Sequence, residues 1–178
     1  LKDTGFEMMK EDGPDAVDLI DWLTGHTKAG QTVGIDGMTF SISLAQRLEQ
    51  QLADNGVKLD DNFPQFDYIY PDRPERPKNK LFIHDEEIVG ESVDSKISRI
   101  LTEVKAELAN AVLLSALDDI AWATNLRTAG DINYSPIFVG FLYLADDRRI
   151  LFVDAEKLTD EVKAHLQKYH IEVKGYED

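Results

Sequence analysis

Asp118 and Asp119 stand side by side in the stretch SALDDIAWATNLR (115–127), with Trp122 and Arg127 close behind and the apolar run AVLL (111–114) just ahead. Paired carboxylates can share a proton or hold a divalent metal, and an arginine can steady a developing negative charge. The spacing argues for a structural role instead. Ser115 followed three residues later by Asp118 has the form of a capping box, in which the hydroxyl accepts from an amide near Asp118. Both acids then lie in a first helical turn and meet the positive end of the helix dipole. Adjacent helical side chains diverge by roughly 100°, which suits neither one metal nor one shared proton. Asn125 is a residue type that takes left-handed backbone and ends such a helix.

The remaining reactive side chains form no familiar pattern. The histidines at 26, 84, 165 and 170 make no HxxxH or HxxEH pair, so a zinc site has no support. No GxxxxGK[ST], GxGxxG or GxSxG occurs, which removes phosphate cradles and nucleophile elbows. Trp22 and Trp122 sit among apolar helical positions, and core packing is expected of both. Arg127 leaves the helix beside the loop AGDINYSP (129–136), where a charged group faces solvent or an interface.

These residues are carried by an acidic chain of 178 residues, with 34 Asp and Glu against 19 Lys and Arg and a net charge of −15. Such a surface repels nucleic acid, and no basic cluster breaks the pattern beyond DRPERPKNK (72–80). No apolar run is long enough to cross a membrane as a helix. Without cysteine there is no disulfide, thiol nucleophile or zinc–thiolate site, which fits a reducing cytoplasm. The first residues contain no signal-peptide core and no initiator methionine, so the chain is read as a portion of a longer protein.

Periodicity supplies the frame. GFEMMKE (5–11) reads as a short strand, followed by a helix over 14–26 with Ala16, Leu19, Ile20 and Leu23 inward and Asp15 at its start. QTVGID (31–36) is a brief strand. SLAQRLEQQLADNG (43–56) is a helix with Leu44, Leu48 and Leu52 on one face and Gly56 at its end. YPDRPERPKNK (70–80) is too rich in proline for a core element and reads as a semi-rigid linker. Beyond it, LFIH (81–84) is a strand or extended lead-in. Residues 92–111 place Val93, Ile97, Ile100, Leu101, Val104 and Leu108 on one helical stripe. AVLL is a buried strand. IFVGFLYL (137–144) and RILFVD (149–154) are hairpin partners across ADDR (145–148). A helix over 159–170 with Val162 and Leu166 inward and a strand IEVK (171–174) close the chain. Strands alternating with helices, plus one hairpin, imply an α/β fold with a mixed sheet.

DRPERP (72–77), LDDIAWATNLR (117–127) and SPIFVGFLYL (135–144) together resemble the non-catalytic N-terminal region of long-form aminopeptidase P, in the creatinase/prolidase superfamily. The resemblance covers essentially the whole chain, and the combination at this separation is specific. It implies a ribonuclease-H-like creatinase N-terminal fold used twice. Residues 1–70 would be the C-terminal part of a first, truncated copy, 71–80 the linker, and 81–178 a second, nearly complete copy. It also implies a parent enzyme that removes an N-terminal residue preceding proline, using two divalent metals, usually manganese, in a C-terminal pita-bread catalytic domain. None of that domain's motifs occurs here, so no catalytic residue, metal ligand or cofactor is assigned to this chain. The implied role is auxiliary: contact with the protein's own catalytic domain and a homodimer partner, and gating of the channel that admits peptides with proline second. The interface or channel candidates are Trp122, Asn125, Arg127, Asp131 and Tyr134. Two departures fall among them, since NLRTAGD (125–131) is one residue longer than the usual NLRGSD and YSP (134–136) replaces YNP.

Two other classes compete. An acidic, chaperone-type binder of basic proteins, built on a creatinase-like module without peptidase activity, is compatible with the charge. A ribonuclease-H-like nuclease using Asp36, Asp118 and Asp119 rests on three carboxylates and is opposed by that same charge.

Overall fold

The computed structural model of the chain describes residues 4–10, 12–14, 16–63 and 68–178. The chain divides into two compact units, Leu1–Pro74 and Glu75–Asp178. The fold is mixed α/β in each.

In the first unit, α1 (Leu19–His26) precedes β1 (Thr32–Gly34), a 3-10 turn (Gly37–Thr39), α2 (Ile42–Asp54) and β2 (Lys58–Asp60). β1 and β2 are parallel, with Val33 opposite Leu59, so α2 is the crossover that parallel strands require. Ser41 starts α2 by accepting from the Leu44 amide at 3.3 Å. Leu48 and Leu52 of α2 join Ile20, Ile35 and Val57 in a small core. Gly56 follows α2 in left-handed backbone, φ 71°.

Several expectations fail in this unit. Residues 5–10 of the expected first strand form no strand: Gly5 is in a bend with φ 77°, and Phe6 and Met8 are exposed; residue 11 lies outside the described residues. The segment's backbone bonds are local, from the Phe6 amide to the Thr4 hydroxyl and from the Val17 amide to the Lys10 carbonyl, and no second strand lies alongside to build a ladder among the described residues. The helix expected from residue 14 begins at Leu19, because Asp18 caps it by accepting from the amides of Ile20 and Asp21. Asp15 lies outside the described residues. Trp22 is not in the core: it is exposed and stacks on His26 at 4.2 Å. Leu44 is exposed as well, because the inward row of α2 runs through Ala45, Leu48 and Leu52.

The second unit contains β3 (Leu81–Ile83), α3 (Glu86–Val89), α4 (Val93–Ala106), β4 (Ala111–Leu114), α5 (Leu117–Thr124), β5 (Leu126–Thr128), β6 (Phe141–Ala145), β7 (Arg149–Phe152), α6 (Asp160–Lys168) and β8 (Glu172–Lys174). The order β4-β6-β7-β8 forms a four-stranded mixed sheet. Val112 faces Leu144 and Leu142 faces Leu151 in antiparallel ladders, whereas Leu151 and Val173 pair in parallel. β3 and β5 form a separate antiparallel pair, with Phe82 opposite Arg127. Seventeen buried residues, Val93, Ile97, Ile120, Phe138, Leu142 and Leu166 among them, make one core. In this unit α3 and β5 were not foreseen, nor was β2 in the first; each is too short to show a period of its own.

The stripe on α4 is as expected up to Val104, but the helix ends at Ala106. Leu108 then turns outward with φ 58° and is exposed rather than packed. Within the run read as a linker, Arg76 pairs with Glu177, Lys78 with Glu75 and Glu156, and the Lys80 amine donates to the Glu156 carbonyl. Among the described residues no helix is long and apolar enough to cross a membrane.

Candidate functional site

The helix at the opening motif is α5, and its start corrects one detail. Ala116, not Ser115, is the cap, and no side chain bonds there; the turn begins one residue later than a Ser115 box would need. Asp118 and Asp119 occupy its first turn and are exposed. Among the described residues no three His, Cys, Asp or Glu side chains converge as a metal site. Asp36, the third acid of the nuclease reading, is spent on a local turn, accepting from the Met38 amide at 3.1 Å.

Asn125 ends α5 with φ 52°, the left-handed conformation expected of it. Both ends of its side chain are bonded. The amide nitrogen donates to the Glu91 carbonyl at 3.0 Å, and the amide oxygen accepts from Lys96 Nζ at 2.7 Å. Lys96 is the residue that sequence reasoning missed. It is 1% exposed, donates also to the Trp122 carbonyl at 2.9 Å, and stands 4.7 Å from the Trp122 ring centroid. Burial lowers its pKa, and Arg127 and Arg99 push the same way against Glu91 and Glu86. A signal was available: position 96 falls at i+3 from Val93 and i−4 from Ile100, within the apolar stripe of α4.

Trp122 is not a core residue. The residue is 37% exposed, with Lys96 Nζ 4.7 Å and the Arg99 guanidinium 5.4 Å from its ring centroid. Arg99 is tied to Glu91 at 2.8 Å, and Glu91, also bonded to Ser95, is held below the usual carboxylate range. Arg127, half-buried on β5, donates through one nitrogen to the carbonyls of Ala121 and Leu126, the latter at 2.8 Å. Burial lowers the pKa of its guanidinium. Trp122, Asn125 and Arg127 therefore belong to one cluster.

Asp131 and Tyr134 do not join it. Asp131 is buried in a pair with Lys157, accepts from the Asn79 amide at 3.3 Å and from the Val139 amide at 3.2 Å, and is the post on which its loop is fixed. Lys157 also donates to the Pro77 carbonyl, so the same post holds the segment before β3. Tyr134 sits on that loop, fully exposed, with φ 64°.

A cleft of about 300 Å³ opens beside Asn125, lined by His84, Glu86, His165, Lys168 and Tyr169 among others. His165 Nε2 lies 2.8 Å from the Thr124 carbonyl, which only accepts, so that nitrogen carries the proton. Burial holds this histidine below its ordinary value.

Residues 72–178 match the creatinase/prolidase N-terminal domain, which covers the whole second unit and the site just described. The chain belongs to that family. This creatinase/prolidase N-terminal domain and the unit before it are similar to curated proteins named Probable Xaa-Pro aminopeptidase P. The Fusarium vanettenii protein is 29% identical over 180 residues, covering 98% of this chain and 29% of the relative. The Aspergillus flavus protein is 37% identical over 150 residues, covering 82% and 22%. Among solved structures, the X-prolyl aminopeptidase of Caenorhabditis elegans, described as a cytosolic enzyme with a di-nuclear active site, superposes with a TM-score of 0.87 at 25% identity. That match covers 96% of this chain and 28% of the other. The chain spans less than a third of the length of the relatives it matches.

Proposed function

We propose that this chain is the non-catalytic N-terminal portion of a metal-dependent Xaa-Pro aminopeptidase, contributing to dimerisation and to gating of the channel that admits peptides with proline second. The observation that carries the reading is similarity along 96–98% of the chain to proteins named for that activity. The two tandem ribonuclease-H-like copies, the first truncated, belong to the same proposal. So does a cytoplasmic location, since the C. elegans relative is described as cytosolic.

Two divalent ions, manganese by the family expectation, would supply the hydrolytic chemistry in a separate pita-bread domain. The described residues of this chain do not fit that role, because their acids and histidines form no three-ligand group. What they offer are two candidate contact regions: Trp122, Asn125 and Arg127 at the end of α5, and, separately, Tyr134 on the loop held by Asp131. The test is peptide hydrolysis by the longer protein. It should cleave Xaa-Pro peptides with manganese and lose activity on chelation, while the 178-residue chain alone stays inactive. Turnover by the isolated chain overturns the auxiliary role, and failure of the longer protein overturns the peptidase reading.

A second reading is favoured by the charge of −15: an acidic module that binds basic proteins. Saturable, salt-sensitive binding of a histone by the intact protein, with no Xaa-Pro cleavage, would support it instead.

A further inference from the structure

Arg127 is a half-buried cation that no carboxylate neutralises among the described residues, in a chain with 34 acids to draw on. Its nitrogen is engaged only by backbone carbonyls. Lys96, nearly inaccessible, likewise receives a carbonyl, an amide oxygen and a ring face rather than an ion-pair partner. Arg99, the third cation, shares Glu91. Three positive side chains thus gather about the end of α5 against two acids, Glu91, which bonds Arg99, and Glu86. Partly buried charge left without a counter-charge is costly and is normally paired.

The surroundings are aromatic. Trp122 is partly exposed, and Phe82, the cross-strand partner of Arg127, is 48% exposed. Directly opposed residues of an antiparallel pair project from the same face. With Phe82 opposite Arg127 on β3 and Arg99 5.4 Å from the Trp122 ring, this face joins guanidinium groups to exposed aromatic surface, which suits a carboxylate carried on a peptide better than a free ion. Screening confines the repulsion of the distant acids, since the Debye length is about 8 Å at physiological salt.

We propose that Arg127, with Arg99, Trp122 and Phe82, forms a docking site for an acidic peptide segment of a protein partner, whose carboxylate pairs with the Arg127 guanidinium. This gives a partner chemistry to the contact region proposed above at the end of α5 and rests on that reading.

The experiment is an amide–nitrogen NMR titration of the 178-residue chain with acetyl-tetraglutamate amide at about 0.15 M salt. The chain has two tryptophans, so the Trp22 indole serves as an internal reference for Trp122. The Trp122 indole should shift saturably while Trp22 does not, and tetraglutamine should move neither. Arg127→Gln should weaken binding about tenfold, the worth of one charge-assisted contact, and Arg127→Lys less. Should Arg127→Gln fail to fold, Arg99→Gln, at an exposed position, carries the same test and should weaken binding too. No Trp122 shift at millimolar peptide, an equal shift with tetraglutamine or with inorganic phosphate alone, or unchanged binding in these variants overturns the proposal. The hydrolysis assay on the longer protein is independent, so failure here leaves the peptidase reading standing.

Discussion

Lys96 Nζ donates to the Trp122 carbonyl at 2.9 Å while standing 4.7 Å from the centroid of the same residue's ring. One buried amine therefore fixes both the backbone and the side chain at the end of α5, from a position 26 residues earlier on α4. Replacement by methionine would keep most of the volume but leave the Trp122 carbonyl and the Asn125 amide oxygen without this donor. Lys96→Met should cost about 1–3 kcal/mol in urea unfolding, the range for an orphaned buried acceptor. Stability equal to or above the parent would mean that relief from burying the charge outweighs the lost bonds.

Asn125 separates a backbone requirement from a side-chain one. Its φ of 52° favours glycine, so Asn125→Gly should lose only the bonds to Lys96 and Glu91. Asn125→Ala loses the same bonds and adds left-handed strain, roughly 1–2 kcal/mol. Alanine should therefore melt below glycine, and the reverse order would show that the conformation is not enforced.

The Asp131–Lys157 pair, both side chains at 2% exposure or less, holds the Tyr134 loop and the segment at Pro77 together. Asp131→Ala should destabilise by about 3–5 kcal/mol because it strands a buried ammonium. Asp131→Leu combined with Lys157→Met should cost clearly less than the two single changes added together, as a double-mutant cycle in guanidinium would record.

His165 predicts a pH effect. Burial holds its pKa below the ordinary 6.5, with the Thr124 carbonyl only partly opposing. On acidification the unfolded chain takes up this proton first. Stability therefore falls as pH drops from about 6.5 to the depressed folded value, then levels. His165→Gln retains an N–H for Thr124 and removes the titration, so its urea midpoint should fall less between about pH 7 and pH 5. A slope identical to the parent's would assign the acid sensitivity elsewhere.

The local signals in the sequence were enough for α2, α4 and α6, for the β6–β7 hairpin and for the left-handed end of α5. Apolar stripes, the glycine after α2 and an asparagine in the right place act over three or four residues, within reach of a reading along the chain. The short strands β2 and β5 have too few residues for a period and exist only because a distant strand pairs with each, while α3 is one exposed turn started by Asp85 and ended by Gly90. The same division runs through the site. Trp122, Asn125 and Arg127 stood out by type, but that Trp122 is half outside the core, that Lys96 is within it, and that Asp131 is committed to Lys157 followed from contacts spanning 26 residues or more. Side-chain partners at that distance are chosen by which surfaces the packed sheet and helices bring together, and only the folded chain makes that choice.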